Sequence, residues 1–181
     1  MRLILFAILT ISISCSADEI RIFENEMLFY VAPVGFDLKI SNDPGSRFKP
    51  VLDFAHFNEQ GFKDFGYKIF LNKVAPSILT TDKEKEDLLR YDCEEHRTSS
   101  VEQAVIIKKI KGDNDVFMCS FTDKNIPADV TVPRGQFRHI SIAFIKEGHF
   151  AYTTVVYSNE LGSEFFDDLF TTLHSLKVRE F

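Results

Sequence analysis

Along the chain, apolar positions repeat with a period of two over most of the length and switch to a helical period in two places. Residues 27–31 and 36–40 read as strands joined by a Pro33-Val34-Gly35 turn. Over residues 51–57, Val51, Asp53, Ala55 and Phe57 alternate with Leu52, Phe54 and His56, which is the pattern of a half-buried strand. A polar connection over 58–66 leads to a short strand at 67–71. Strands at 104–110 and 116–121 flank Gly112-Asp113-Asn114-Asp115, a hairpin turn signal. The clearest alternation comes last. Ile140, Ile142 and Phe144 face away from His139, Ser141 and Ala143, the chain turns at Glu147-Gly148, and a partner strand returns over 150–157.

The first helical stretch opens at Thr81-Asp82-Lys83-Glu84, a capping box in which Thr81 and Glu84 satisfy each other's backbone donors. It is expected to run about a dozen residues to near Cys93. Its apolar face is thin (Leu88, Leu89, Cys93), which places it on a surface. The second follows Ser163, with Glu164, Asp167 and Asp168 at the positive end of the dipole. Phe165, Phe166, Leu169, Phe170, Leu173 and Leu176 give it a broad apolar stripe for docking. The pattern predicts one α+β domain over 26–181, an antiparallel sheet with helices, preceded by a short tether at 18–25.

The stretch before the tether reads as an export signal. Arg2 precedes an apolar run over 3–13, too short to span a bilayer. Two processing sites remain open. Cleavage after Ala17 would leave a soluble periplasmic protein. Treating Ser12-Ile13-Ser14-Cys15 as a lipobox would instead cut before Cys15 and attach lipid there, anchoring the protein to the envelope. On either route Cys15 leaves the thiol count, and the remaining cysteines, Cys93 and Cys119, are expected to form a disulfide.

Composition narrows the function classes. The 181 residues hold 21 Lys+Arg against 27 Asp+Glu, a net charge of −6 that becomes −7 if Arg2 is removed with the leader. An acidic domain without a basic run repels phosphate backbones, so nucleic acid is excluded as a partner. With 19 Phe, 5 Tyr and no Trp, the rings suit a packed core better than a stacking surface.

Candidate chemistry is sparse. Tyr91-Asp92-Cys93-Glu94-Glu95-His96-Arg97 is the densest polar cluster, and Asp92, Glu95 and His96 could share a helix face as metal ligands, but no second ligand pair accompanies them. Asp53 and His56 fall on opposite faces of a strand, so they make no base–orienter pair. Cys93 near His96 has the elements of an activated thiolate, against which stands its disulfide assignment. His139, His149 and His174 are expected at exposed or structural positions. Asp113-Asn114-Asp115 lacks the further ligands of a calcium loop. No catalytic residue, metal site or cofactor is therefore assigned. The long loops carry apolar side chains at Phe48, Phe62, Phe65, Ile126 and Val132, which either tuck under the sheet or form a partner-binding patch.

The segment Val31-Ala32-Pro33-Val34-Gly35-Phe36, together with the hairpin and helix over 140–176 that closes in Leu173-His174-Ser175-Leu176, resembles the PsbP-like and DcrB-like family of exported α/β/α sandwiches. The resemblance implies two or three helices flanking the sheet. It also implies a non-enzymatic protein, often a small lipoprotein, that works by binding or assembly. Some similar domains are immunity proteins against secreted antibacterial toxins, which is the alternative reading. A hydrolase or metal-dependent enzyme built on Asp92 and His96 is the third. The expected partner is a protein, with membrane contact only through a lipid on Cys15.

Overall fold

The computed structural model of the protein describes residues 17–23, 26–41 and 50–180. In chain order they form β1 (Ala17–Phe23), β2 (Glu26–Val31), β3 (Phe36–Ser41), β4 (Val51–Phe57), β5 (Lys63–Lys73), α1 (Asp82–Arg97), β6 (Lys108–Ile110), β7 (Val116–Thr122), β8 (His139–Glu147), β9 (Phe150–Ser158), α2 (Glu164–Ser175) and β10 (Lys177–Glu180). Seven strands make one sheet in the order β3-β4-β5-β9-β8-β7-β6, and three make a small sheet, β1-β2-β10. All of these pairings are antiparallel, so the fold is α+β with two helices among the described residues.

The alternation in the sequence becomes the two faces of the large sheet. Register aligns Ala143, Thr154 and Ile69 on one face and Phe144, Thr153 and Phe70 on the other. The first face packs Phe54, Tyr67, Ile69, Met118 and Ile145 against Leu169 and Leu173 of α2 and Leu28 of β2. The second packs Phe117, Cys119, Ile142 and Phe144 against Leu89 and Cys93 of α1. The two helices thus lie on opposite faces. Leu89 is fully buried, and its truncation to Ala would cost about 2–5 kcal/mol.

The capping box of α1 is formed: Glu84 N–H donates to Thr81 Oγ1 at 3.2 Å, and Thr81 N–H donates to Glu84 Oε2 at 2.9 Å. The helix continues one turn beyond the expected end. Arg97 pairs with Glu94 at 2.6 Å, and the Ser99 and Ser100 hydroxyls donate to the His96 and Arg97 carbonyls, satisfying groups a helix end leaves bare. At α2, Ser163 holds the N-cap position, yet its side chain makes no capping bond.

Besides the end of α1, four boundaries differ from the sequence reading. Residues expected as a tether form β1, paired with β2 from Ala17 opposite Val31 onward; the Ile20-Arg21-Ile22 alternation carried that signal. The strand expected at 104–110 pairs with β7 only over Lys108–Ile110. Ahead of it, Val101 N–H donates to the Thr122 carbonyl, Glu102 takes the Thr122 N–H, and Arg90 of α1 donates to the Val105 carbonyl, so the segment's bonds run elsewhere. β5 starts at Lys63, absorbing the end of the expected connection. β10 follows α2 directly and closes the small sheet.

Among the described residues no helix is long and apolar enough to cross a membrane. Residues 1–16 of the expected leader, Cys15 among them, and Phe48 lie outside the described residues.

Candidate functional site

Among the described residues, each helix leaves a groove beside it on its face of the sheet. On the α2 side the open part lies over β6 and β7. It is a groove of about 370 Å³ with Met118 and Ser120 as floor, Ile106, Lys108 and Ile110 along one side, and Phe166 and Phe170 of α2 along the other. Leu161, in the turn before α2, completes the rim. Two rim residues break the burial rule for large apolar side chains: Ile106 is 69% exposed and Leu161 46%. The extended run over 105–107 places Ile106 there. Val105 turns into the α1-side core at 8% exposure, so its neighbour Ile106 must turn outward.

The hydroxyl and the carboxylate in this groove are bonded within the protein. Ser120 Oγ and Ser141 Oγ lie 2.7 Å apart. At the end of the groove, the Glu102 carboxylate accepts from the Thr122 N–H at 2.7 Å and from the Thr122 hydroxyl at 2.8 Å, and Thr122 Oγ1 also lies 3.1 Å from His139 Nδ1. Burial opposes the charge on Glu102, but the bonds from Thr122 outweigh it and hold the carboxyl below its usual range. Burial, reinforced by Arg138, pushes the His139 imidazole below its usual value. The Thr122 hydroxyl proton is committed to Glu102, so His139 can only donate to that oxygen through Nδ1–H. A hydroxyl bonded this way is not activated by the imidazole; the chain of bonds closes the exposed edge of β7.

The residues singled out in the sequence are scattered. Cys93 on α1 and Cys119 on β7 form the disulfide, with Cα atoms 6.6 Å apart, which removes Cys93 as a thiolate. Among the loop residues, Phe65 is a core residue of β5 at 1% exposure and Ile126 is buried at 5%. Phe62 is half-buried beneath the Arg134 guanidinium, 4.3 Å from its ring centroid, and Val132 is also half-buried. His56 bonds Asp64 at 2.7 Å, while Asp53, on the other face, lies 3.5 and 3.4 Å from Lys63 and Lys68. His149 is exposed, and His174 Nδ1–H donates to the Asn114 carbonyl at 2.7 Å. Asp92 is half-buried, Glu95 is exposed, and the His96 ring lies 6.1 Å from that of Phe121. Among the described residues no three His, Cys, Asp or Glu side chains gather as metal ligands. The groove itself was missed. Its available signal was the run Ala104-Val105-Ile106-Ile107, whose four apolar residues cannot all be buried on an edge segment.

No family model matches the chain, and no curated protein matches it. Among solved structures it is similar to cyanobacterial PsbP from Synechocystis sp. PCC 6803, at 15% identity and a TM-score of 0.50, over 97% of this chain and 99% of that one. A crystal structure from Bacteroides thetaiotaomicron is similar over 84% of this chain at 13% identity and a TM-score of 0.47, and the alignment covers 45% of that protein's length. Likeness at such identities is likeness of fold. By this likeness over nearly its whole length, the chain has a PsbP-like fold.

Proposed function

We propose that this protein is an exported, non-enzymatic binding or assembly module that docks a protein partner through the α2-side groove. The observation that carries the reading is the pairing of an apolar groove with two exposed apolar side chains, Ile106 and Leu161, at its rim. Large exposed apolar residues beside a concavity are what a partner's side chain buries. The groove's hydroxyls and its carboxylate are engaged internally, which favours a docking role over chemistry. Export is supported by the Cys93–Cys119 disulfide, a bond that persists in oxidising compartments, and by the apolar run after Arg2. Within the exported class, a periplasmic form starting at Asp18 and an envelope form lipidated on Cys15 differ in mass, so a mass spectrum of the mature protein separates them.

The test is photo-cross-linking in cells from a reactive side chain placed at position 106 or 161, with position 34, 93% exposed, as control. A discrete protein adduct from 106 and 161 that position 34 does not give is the expected result. Adducts absent at both rim positions, or identical to those from position 34, would overturn the reading.

A further inference from the structure

The second groove lies on the opposite face, between α1 and the strands α1 does not reach. Its volume is about 560 Å³. Phe70, Thr153 and Val155 form its floor, Leu79 one wall, and Leu88 and Asp92 of α1 the other. We propose that this groove is a binding site for a small organic cation on an apolar stem, with Asp92 as its counter-ion.

The groove is held open by covalent structure. α1 packs on β7 and β8, and the Cys93–Cys119 bond fixes it there, so the helix cannot slide across β9 and β5 to cover their outer face. Asp92 is the residue next to Cys93, and its position is fixed by the same bond. Its carboxylate has no hydrogen bond or ion pair among the described residues, although it is half-buried in an apolar wall. A carboxylate that loses part of its solvent without a partner gains from a cation placed beside it. Burial and the neighbouring Glu95 raise its pKa, and His96 offsets this only partly. The other polar groups lining the groove are Asn72 and Thr153, which are neutral, and Lys73, whose ammonium lies over the Phe150 ring.

The opposite wall supplies an independent observation. Leu79 has φ +58, the left-handed conformation that a residue with a branched side chain rarely adopts. It is the one such residue other than glycine in the described structure. Backbone held in this region is strained and is retained where the surroundings demand it, often at binding sites. The Leu79 side chain packs against the α1-side core and lines the groove together with Asp92. An apolar cleft of this size with a single unpaired carboxylate is complementary to a small amphiphile bearing one ammonium or guanidinium group.

The experiment is titration of the full folded protein with n-octylammonium, n-octanol and n-octanoate, read by amide chemical shifts in NMR. The proposal expects shifts confined to the groove, at Leu79, Leu88, Asp92 and Val155, with octylammonium binding about tenfold more tightly than octanol and octanoate not binding there. Asp92→Asn should abolish the preference for the amine while octanol still binds, which shows that the groove is intact. Equal affinity for the three probes, a preference that survives Asp92→Asn, or no shift in the groove at millimolar octylammonium would each overturn it.

Discussion

The Thr172 hydroxyl donates to the Val31 carbonyl oxygen at 2.9 Å, joining α2 to the end of β2 across 141 residues of chain. Thr172 Oγ1 in turn accepts from the buried Tyr67 hydroxyl at 3.2 Å, and the Val31 N–H donates to Ser175 Oγ at 2.7 Å. Both backbone polar groups of Val31 are thus satisfied by one helical turn. Thr172→Val leaves the Val31 carbonyl and the Tyr67 hydroxyl without this partner, and is expected to cost about 1–3 kcal/mol in urea unfolding. Tyr67→Phe in the same background should add less than it does alone, because the two residues share one bond.

Thr154 presents the opposite case. It is fully buried on β9 beneath α2, and its hydroxyl has no hydrogen-bond partner. Thr154→Val removes that hydroxyl at nearly constant shape and is expected to stabilise the fold by about 1 kcal/mol. The urea midpoint should rise with an unchanged denaturant slope.

Gly112 sits in the β6–β7 turn against the His174 imidazole, which would lie 2.1 Å from a Cβ added there. The ring is held by the Asn114 carbonyl, and Asn114 Nδ2 in turn donates to the Leu176 carbonyl at 3.1 Å, so the turn is fastened to the end of α2. Gly112→Ala is expected to cost about 1–3 kcal/mol through overpacking. Adding His174→Ala should recover part of that loss in the same thermal or urea assay.

The Cys93–Cys119 bond closes a loop with a sequence separation of 26. The chain-entropy relation assigns such a loop about 3.5 kcal/mol. The Cys93→Ala/Cys119→Ala double variant should lose about that much in urea unfolding. Denatured, unreduced protein should show no reactive thiol at either position, and a count of two would refute the bond.

Asp115 is paired with Lys109 at 2.7 Å and Lys111 at 3.3 Å, and Lys109 also meets Asp82. The hydrogen bond from Lys109 leads the effects that pull the Asp115 carboxyl from 3.8 to about 2. A depressed carboxyl adds stability that is complete above its unfolded value and is lost as pH falls through the folded one. The stability difference between wild type and Asp115→Asn should therefore be constant above about pH 4 and vanish toward pH 2. Because the pair lies at the surface within reach of solvent, added salt should shrink it at every pH.

The elements with a strict period were legible from residue order. β4, β8, β9 and α2 lie where their alternation or stripe put them, and the capping box at Thr81 and Glu84 marked the start of α1. What the sequence hid is set by tertiary competition for backbone groups. Residues 104–107 have a strand's composition, but Arg90, Val101 and Glu102 divert the bonds a strand would make. Phe65 reads as a loop residue only until pairing with β9 extends β5 past it. Neither groove was foreseen, because each depends on how far a helix reaches across a sheet, and that distance is not written in either element alone.

The small sheet has a consequence for the order of assembly. β2 lies between β1, its neighbour in sequence, and β10, about 150 residues downstream, and the bonds that secure Val31 come from α2. The β1–β2 hairpin can form early but has nowhere to dock until α2 and β10 are present. Long-range closure of this kind is the slow part of folding. A chain threaded out of the cytosol from its N-terminus would thus hold its first hairpin unanchored until its last helix had crossed, so that completed translocation, rather than local structure, becomes the event that locks the fold.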